Sequence, residues 1–153
     1  METQNANGMG CRVPWNKGKL TGQTPPLKLP EIWAIRTRLQ IASNVRELAM
    51  FNLAIDSKLR ACDLTRLRVQ DICHGNHVGS RAIVMPQKTQ RSVQFEITEH
   101  TRQSVEAWIA ARHLKSADYL FPSRIHTSQH LSTRQYARLV HRWVASIGLD
   151  DTA

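Results

Sequence analysis

Apolar residues recur at helical spacing over most of the chain beyond residue 30. Ile32, Ile35 and Leu39 predict a first helix. Asn44, with Glu47 three positions later, predicts the capped start of a second. Further helices are predicted over 61–67, after a cap at Thr98, and after a capping box of Ser132 and Gln135. The last helix has an apolar stripe of Tyr136, Leu139, Val140, Trp143 and Ile147.

Two short segments between the helices have the pattern of strands. Residues 81–85 are mostly apolar, and residues 92–97 alternate between polar and apolar side chains. The segment 86–90 between them predicts a hairpin turn, whereas 73–77 reads as a polar turn. The predicted fold class is therefore mainly α with a small antiparallel β-sheet (α+β).

Residues 1–30 differ from the rest of the chain because they combine several glycines and prolines with scattered lysines. This composition predicts a flexible basic N-terminal arm over 1–30 and a folded domain over 31–153. Such an arm either follows a nucleic-acid backbone, with Lys17 and Lys19 as contacts, or is a linker from an upstream domain. The sequence favours neither alternative.

The formal charge of +9 favours a polyanionic partner, most often nucleic acid, over a merely basic protein. The three cysteines have no regular spacing, which argues against a disulfide framework and for a reducing compartment. No secretory signal is visible, and no apolar run approaches the roughly 18 residues of a membrane helix. We therefore expect a cytoplasmic protein without a membrane partner.

Two basic residues are candidates for phosphate chemistry. Arg60 lies at the start of the predicted helix over 61–67. Asp63 lies on the same face of that helix and could hold the Arg60 side chain in position. A guanidinium offers paired donors to phosphate oxygens, although surface Arg–Asp pairs are common. Lys88 lies in the predicted hairpin turn, where it is either solvated or placed to protonate a leaving oxygen.

Three other groups of residues allow a functional and a structural interpretation. Arg134, Arg138 and Arg142 recur every four residues along the last helix, so they contact phosphates or form a solvated face. The segment from Cys73 to His77 has poor spacing for zinc, and we predict no metal or other cofactor. The tryptophans of three helical stripes are predicted to be core residues, namely Trp33, Trp108 and Trp143.

Three short motifs follow one another along the chain: Leu-Arg-Ala-Cys-Asp-Leu at 59–64, Gln-Lys-Thr at 87–89 and Asp-Tyr-Leu-Phe-Pro-Ser at 118–123. In this order and spacing they resemble the first-arginine box, the hairpin lysine and the connecting segment of the tyrosine recombinase (phage integrase) family. The resemblance runs from about residue 45 to residue 150. It implies a partial tyrosine-recombinase catalytic core, with 31–153 as the N-terminal portion of an integrase-like catalytic domain.

The resemblance also implies a mechanism and partners. In the family, a tyrosine attacks a phosphodiester of double-stranded DNA and forms a phosphotyrosine intermediate during DNA integration and recombination. Arg60 is the counterpart of the first phosphate-binding arginine, Lys88 of the general acid, and Asp63 supports Arg60. No cofactor is needed, and a full-length member of the family forms a homo-oligomer on DNA.

The chain departs from the family pattern in its second half. None of its seven histidines is followed by Arg three positions later, as the family's His-x-x-Arg box requires. Its two tyrosines, Tyr119 and Tyr136, do not match the place of the nucleophile. We therefore expect a truncated catalytic domain that cannot cut DNA alone. Alternatives are a complete, non-catalytic DNA-binding protein, a type IB topoisomerase relative and a generic RNA-binding protein.

Overall fold

The computed structural model describes residues 27–124 and 129–148. Within these residues the chain forms helices α1 (Leu29–Ile41), α2 (Val45–Ser57), α3 (Ala61–Leu64), α4 (Val69–Ile72), α5 (Glu99–Arg112) and α6 (Thr133–Ser146), and strands β1 (Cys73–His74), β2 (His77–Val78), β3 (Arg81–Val84) and β4 (Val93–Glu96). The predicted α+β class is confirmed. The first helix begins at Leu29, inside the end of the segment predicted as an arm, and residues 1–26 lie outside the described part.

Side-chain caps set the starts of the long helices. The Asn44 carboxamide oxygen accepts a hydrogen bond from the Glu47 N–H, and the Ser132 hydroxyl accepts one from the Gln135 N–H, as predicted. Thr98 precedes α5, but its hydroxyl does not cap the helix. Its backbone N–H and its hydroxyl both donate to the carboxylate of Asp56 instead, so α2 fixes the start of α5.

The strands form two antiparallel hairpins. In the described chain β3 pairs only with β4, from Arg81 opposite Glu96 to Val84 opposite Val93, which confirms the predicted hairpin. The segment 73–77, predicted as a turn, contributes β1 and the start of β2. The predicted helix over 61–67 ends earlier, at Leu64, and the chain turns before the short helix α4.

The core surrounds α2, which packs against α1, α5 and β4. Its inner face buries Ala49, Met50 and Leu53. On the other side of α2, the ring of Phe51 meets the edge of Trp143 from α6, with ring centroids 5.4 Å apart. The two helices are thereby held close together and border a cleft.

The prediction that all three helical tryptophans are core residues is wrong for Trp33. Trp108 and Trp143 are buried, but Trp33 is 46% exposed. Its indole ring packs against the edge of the His100 ring, and the guanidinium of Arg36 lies 4.8 Å above its centroid. The helical spacing of apolar residues predicted for the first helix is therefore correct, but its apolar face is wider than the surface that the core covers.

Candidate active site

Arg60 occupies the N-cap position of α3. The preceding helix α2 ends at Ser57, and Lys58 turns the chain with a left-handed backbone (φ 55°). Leu59 is partly buried against the core and anchors this short connection. The side chain of Arg60 is exposed at the surface of the molecule, where it is available to a ligand.

Lys88 lies in the turn between β3 and β4 and is also exposed. Pro86, at the start of this turn, is buried, while Gln90 near its end has a positive φ of 52°. The strand pairing from Ala82 to Phe95 holds the base of the hairpin. The turn therefore presents Lys88 from a framework anchored on both sides.

Asp63 connects the two elements. Its Oδ1 atom accepts a hydrogen bond from the backbone N–H of Gln87 at 3.1 Å. Within the described residues it forms no ion pair with Arg60, so its carboxylate holds the hairpin turn and not the guanidinium. Arg60, Asp63 and Lys88 all line one cleft of about 210 Å³, which we call the Arg60–Lys88 cleft.

The chemistry of this cleft suits an anion with several oxygen atoms. A guanidinium donates two parallel hydrogen bonds, whereas an ammonium is a compact point charge and proton donor. Asp63 accepts its hydrogen bond from a backbone N–H, and neither Arg60 nor Lys88 forms an ion pair within the part of the chain that the structure describes. In this arrangement the guanidinium of Arg60 can bind two oxygens of a phosphodiester. The ammonium of Lys88 can then act as a proton donor to a third oxygen of the same phosphodiester.

The predicted stripe on α6 does not join this cleft. Arg134 is exposed on the first turn of α6. Arg138 and Arg142 line a separate cleft between α2 and α6, together with Arg46 and Glu47. Lys17 and Lys19 lie outside the described residues. Arg46 carries no motif that marks it as a site residue, although its spacing from Met50 and Leu53 places it on the inner face of α2.

Both tyrosines have packing roles in the described structure. Burial raises the pKa of Tyr136, whose ring meets the edge of Trp143. The hydroxyl of Tyr119 accepts a hydrogen bond from Arg68 at 3.2 Å, and the Arg68 guanidinium lies over the Tyr119 ring. Neither tyrosine lines the Arg60–Lys88 cleft.

The Cys73–His77 segment does not form a metal centre within the described chain. The Nδ1 atom of His77 lies 3.6 Å from Glu106, which also accepts a hydrogen bond from the backbone N–H of Val78. Burial, followed by the charge of Glu106, raises the pKa of Cys73. Residues 27–124 and 129–148 contain no cluster of three or more potential metal ligands and no helix long and apolar enough to cross a membrane.

Known proteins share both the sequence pattern and the fold. The chain is 26% identical over 127 residues to the probable integrase/recombinase YoeC of Bacillus subtilis (strain 168), covering 83% of this chain and 66% of that protein. The crystal structure of XerA recombinase superposes with a TM-score of 0.67 at 19% identity, over 95% of this chain and 51% of that one. XerH site-specific recombinase, bound to its difH substrate, gives a TM-score of 0.62 at 14% identity, over 86% of this chain and 40% of that one.

The likeness extends over nearly the whole described chain, but the chain spans only part of its relatives: just under two thirds of YoeC and about half of XerA. A sequence model described as the phage integrase family matches residues 28–153. This match includes every element from α1 to α6. The chain therefore belongs to the phage integrase family of tyrosine recombinases.

Proposed function

We propose that this chain is the duplex-DNA-binding portion of a site-specific tyrosine recombinase, and that its Arg60–Lys88 cleft holds the phosphate at which the strand is cut. The observation that carries the proposal is the bond from Asp63 to Gln87, which brings two elements with distant basic residues to one cleft. One structure of similar fold, that of XerH, contains its DNA substrate, which supports the same partner here.

Each residue has a separate task in this proposal. Arg60 donates to the non-bridging phosphate oxygens and stabilises the extra negative charge of the pentacoordinate transition state. A tyrosine oxygen attacks phosphorus, the bond from phosphorus to the 5′ oxygen breaks, and Lys88 gives its proton to that oxygen. Asp63 acts through the hairpin by fixing the turn that carries Lys88. The reaction conserves the phosphodiester energy and needs no cofactor.

Contacts beyond the cleft are part of the same proposal. The exposed arginines of α6, Arg134, Arg138 and Arg142, contact the DNA backbone, and the basic segment before α1 follows it through Lys17 and Lys19. The whole protein integrates or excises DNA of a mobile element as a homo-oligomer assembled on its site in the cytoplasm.

Salt-dependent binding to duplex DNA tests this function. Each phosphate contact contributes about one unit to the slope of log K against log salt concentration. We expect Arg60→Ala and Lys88→Ala each to lower that slope by about one unit, and Arg38→Ala, on the exposed side of α1, to leave it nearly unchanged. Equal slopes for Arg60→Ala and Arg38→Ala would contradict the proposal, and so would a preference for RNA in direct competition.

A second function, DNA binding without chemistry, is favoured by the packing of Tyr119 and Tyr136. The test uses DNA duplexes that carry nicks at different positions. When a tyrosine attacks a phosphodiester next to a nick, the protein stays covalently attached to the DNA, and the adduct is detected on a denaturing gel. We expect no adduct with the 153-residue chain. An adduct that disappears in Tyr136→Phe or Tyr119→Phe would show that the chain carries its own nucleophile.

A further inference from the structure

A second basic cleft lies between α2 and α6 and shares no lining residue with the Arg60–Lys88 cleft. It has a volume of about 230 Å³. Four arginines line it, namely Arg46, Arg124, Arg138 and Arg142, together with a single carboxylate, that of Glu47. Four positive charges and one negative charge leave a net charge of +3 around this space.

Arg46 is the exceptional member of the group. Its side chain is buried, with only 8% of the residue exposed. A guanidinium has five N–H donors, and buried charges in proteins are normally paired. In the described chain Arg46 makes one hydrogen bond, at 3.4 Å, from Nη2 to the carbonyl oxygen of Pro122. Burial, then the nearby charge of Arg124, lowers the pKa of Arg46, with Glu47 acting in the opposite direction.

Glu47 forms no ion pair with Arg46 in the described chain, because its carboxylate oxygens are directed to other groups. Oε1 accepts a hydrogen bond at 2.8 Å from the indole N–H of Trp143, and Oε2 accepts one from the carboxamide of Asn44. Oε2 also lies 3.9 Å from the guanidinium of Arg142. Glu47 therefore joins α2 to α6 and places Arg142 at the cleft, while most donors of Arg46 have no partner among the described residues.

We propose that the α2–α6 cleft binds a phosphate group of the DNA backbone that takes no part in strand cutting, with Arg46 as its buried anchor. This inference rests on the proposed function, since it names a second contact for the same DNA. Arginine forks match the oxygens of a phosphate, and the exposed Arg124 and Arg138 form a rim that a continuous backbone can follow. A phosphate fixed here sets the position of the duplex relative to the reacting phosphate.

Inorganic pyrophosphate tests the anion site without DNA. The measurement is the rise in melting temperature on adding pyrophosphate at constant ionic strength, in an Arg60→Ala/Lys88→Ala background that removes the other cleft. A ligand that binds only the folded state raises Tm by mass action. We expect Arg46→Gln to lose at least half of this rise, and the matched control Arg38→Gln to keep it.

Because Arg46 is buried, Arg46→Gln is a risk to folding, and Arg124→Gln is the second variant because its side chain is exposed. Arg124→Gln is expected to reduce the pyrophosphate effect without lowering Tm in the absence of ligand, because it removes a positive charge that repels Arg46. If Arg124→Gln and every folded Arg46 variant retain the full rise, the anion site is overturned.

The slope of duplex-DNA binding against salt identifies the ligand. In the otherwise unaltered chain, Arg124→Gln is expected to lower the slope by about one unit relative to Arg38→Gln. If Arg124→Gln loses the pyrophosphate effect but keeps the DNA slope, the DNA phosphate is overturned as the occupant. If the unaltered chain does not bind duplex DNA, the proposed function and the DNA occupant both fail, whereas the pyrophosphate result still decides whether the cleft is an anion site.

Discussion

The carboxylate of Asp63 accepts a hydrogen bond from the backbone N–H of Gln87 and so joins the helix after Arg60 to the turn that carries Lys88. The interaction is at the surface, where a single hydrogen bond adds little to global stability. Its consequence is local: it fixes the position of the turn that carries Lys88 relative to Arg60.

Asp63→Ala is expected to loosen the hairpin turn while lowering the free energy of unfolding by about 1 kcal/mol or less. The backbone N–H of Gln87 loses its acceptor and should exchange with solvent faster. Amide hydrogen exchange followed by NMR measures this directly. Asp118→Ala is the matched control, because Asp118 accepts a similar exposed bond from the Lys115 N–H and does not line the cleft that Asp63 and Gln87 share. Unchanged exchange at Gln87 in Asp63→Ala would contradict the proposed tie.

Glu47→Ala is expected to lower the free energy of unfolding by about 1–3 kcal/mol, because it leaves the buried indole N–H of Trp143 without an acceptor. Glu47→Gln keeps an acceptor oxygen and should cost less. Urea denaturation gives the difference. Glu96→Ala removes an exposed ion pair with Arg81 and should cost less than about 1 kcal/mol. Similar losses for Glu47→Ala and Glu96→Ala would show that the link between α2 and α6 is unimportant.

Tyr136 should make the fold sensitive to alkaline pH. Burial raises its pKa above the ordinary value of 10.0, so the unfolded chain releases the phenolic proton first as the pH rises. Above pH 10 the unfolded state therefore binds fewer protons than the folded state, and stability falls. Urea denaturation at pH 8 and pH 10.5 should show a smaller loss in Tyr136→Phe than in the unaltered chain. An equal loss in both would mean that Tyr136 does not titrate with unfolding.

Lys88 as general acid is testable in a protein that joins this chain to the family's His-x-x-Arg box and nucleophilic tyrosine. Lys88→Ala should slow cleavage of an ordinary phosphodiester by roughly 100- to 10,000-fold. A substrate with sulfur in place of the bridging 5′ oxygen needs no proton on its leaving group, so it should restore the rate for Lys88→Ala but not for Arg60→Ala. Failure of the sulfur substrate to separate the two variants would remove the general-acid role of Lys88.

Local patterns in the sequence were sufficient to predict most of the fold. The caps at Asn44 and Ser132 and the hairpin of β3 and β4 depend on residues close together in the chain, and all were predicted. The acceptor of the Thr98 donors is Asp56 on another helix, a tertiary contact that no local pattern contains. The exposure of Trp33 was missed for the same reason, because periodicity indicates a helical face without showing what covers it.

The candidate site was likewise predictable where it depends on local motifs, and not where it depends on tertiary contacts. The motifs identified Arg60, Asp63 and Lys88, but the spacing from Arg60 to Asp63 suggested a direct helix pair. The bond from Asp63 to Gln87 depends on how the hairpin folds over α3. The cleft around Arg46 was not predictable from local sequence patterns, because Arg124, Arg138 and Arg142 meet Arg46 only when α6 and the loop between α5 and α6 pack against α2.

The most direct test of the account is an NMR titration of the chain with a short DNA duplex, following the side-chain signals of Arg60 and Lys88. If one phosphate occupies the Arg60–Lys88 cleft, both signals should shift along one binding curve with a single Kd, while that of Arg38 stays in place. Separate curves for Arg60 and Lys88, or an unmoved Arg60 signal when the duplex is bound, would contradict the claim that the two residues form one phosphate site.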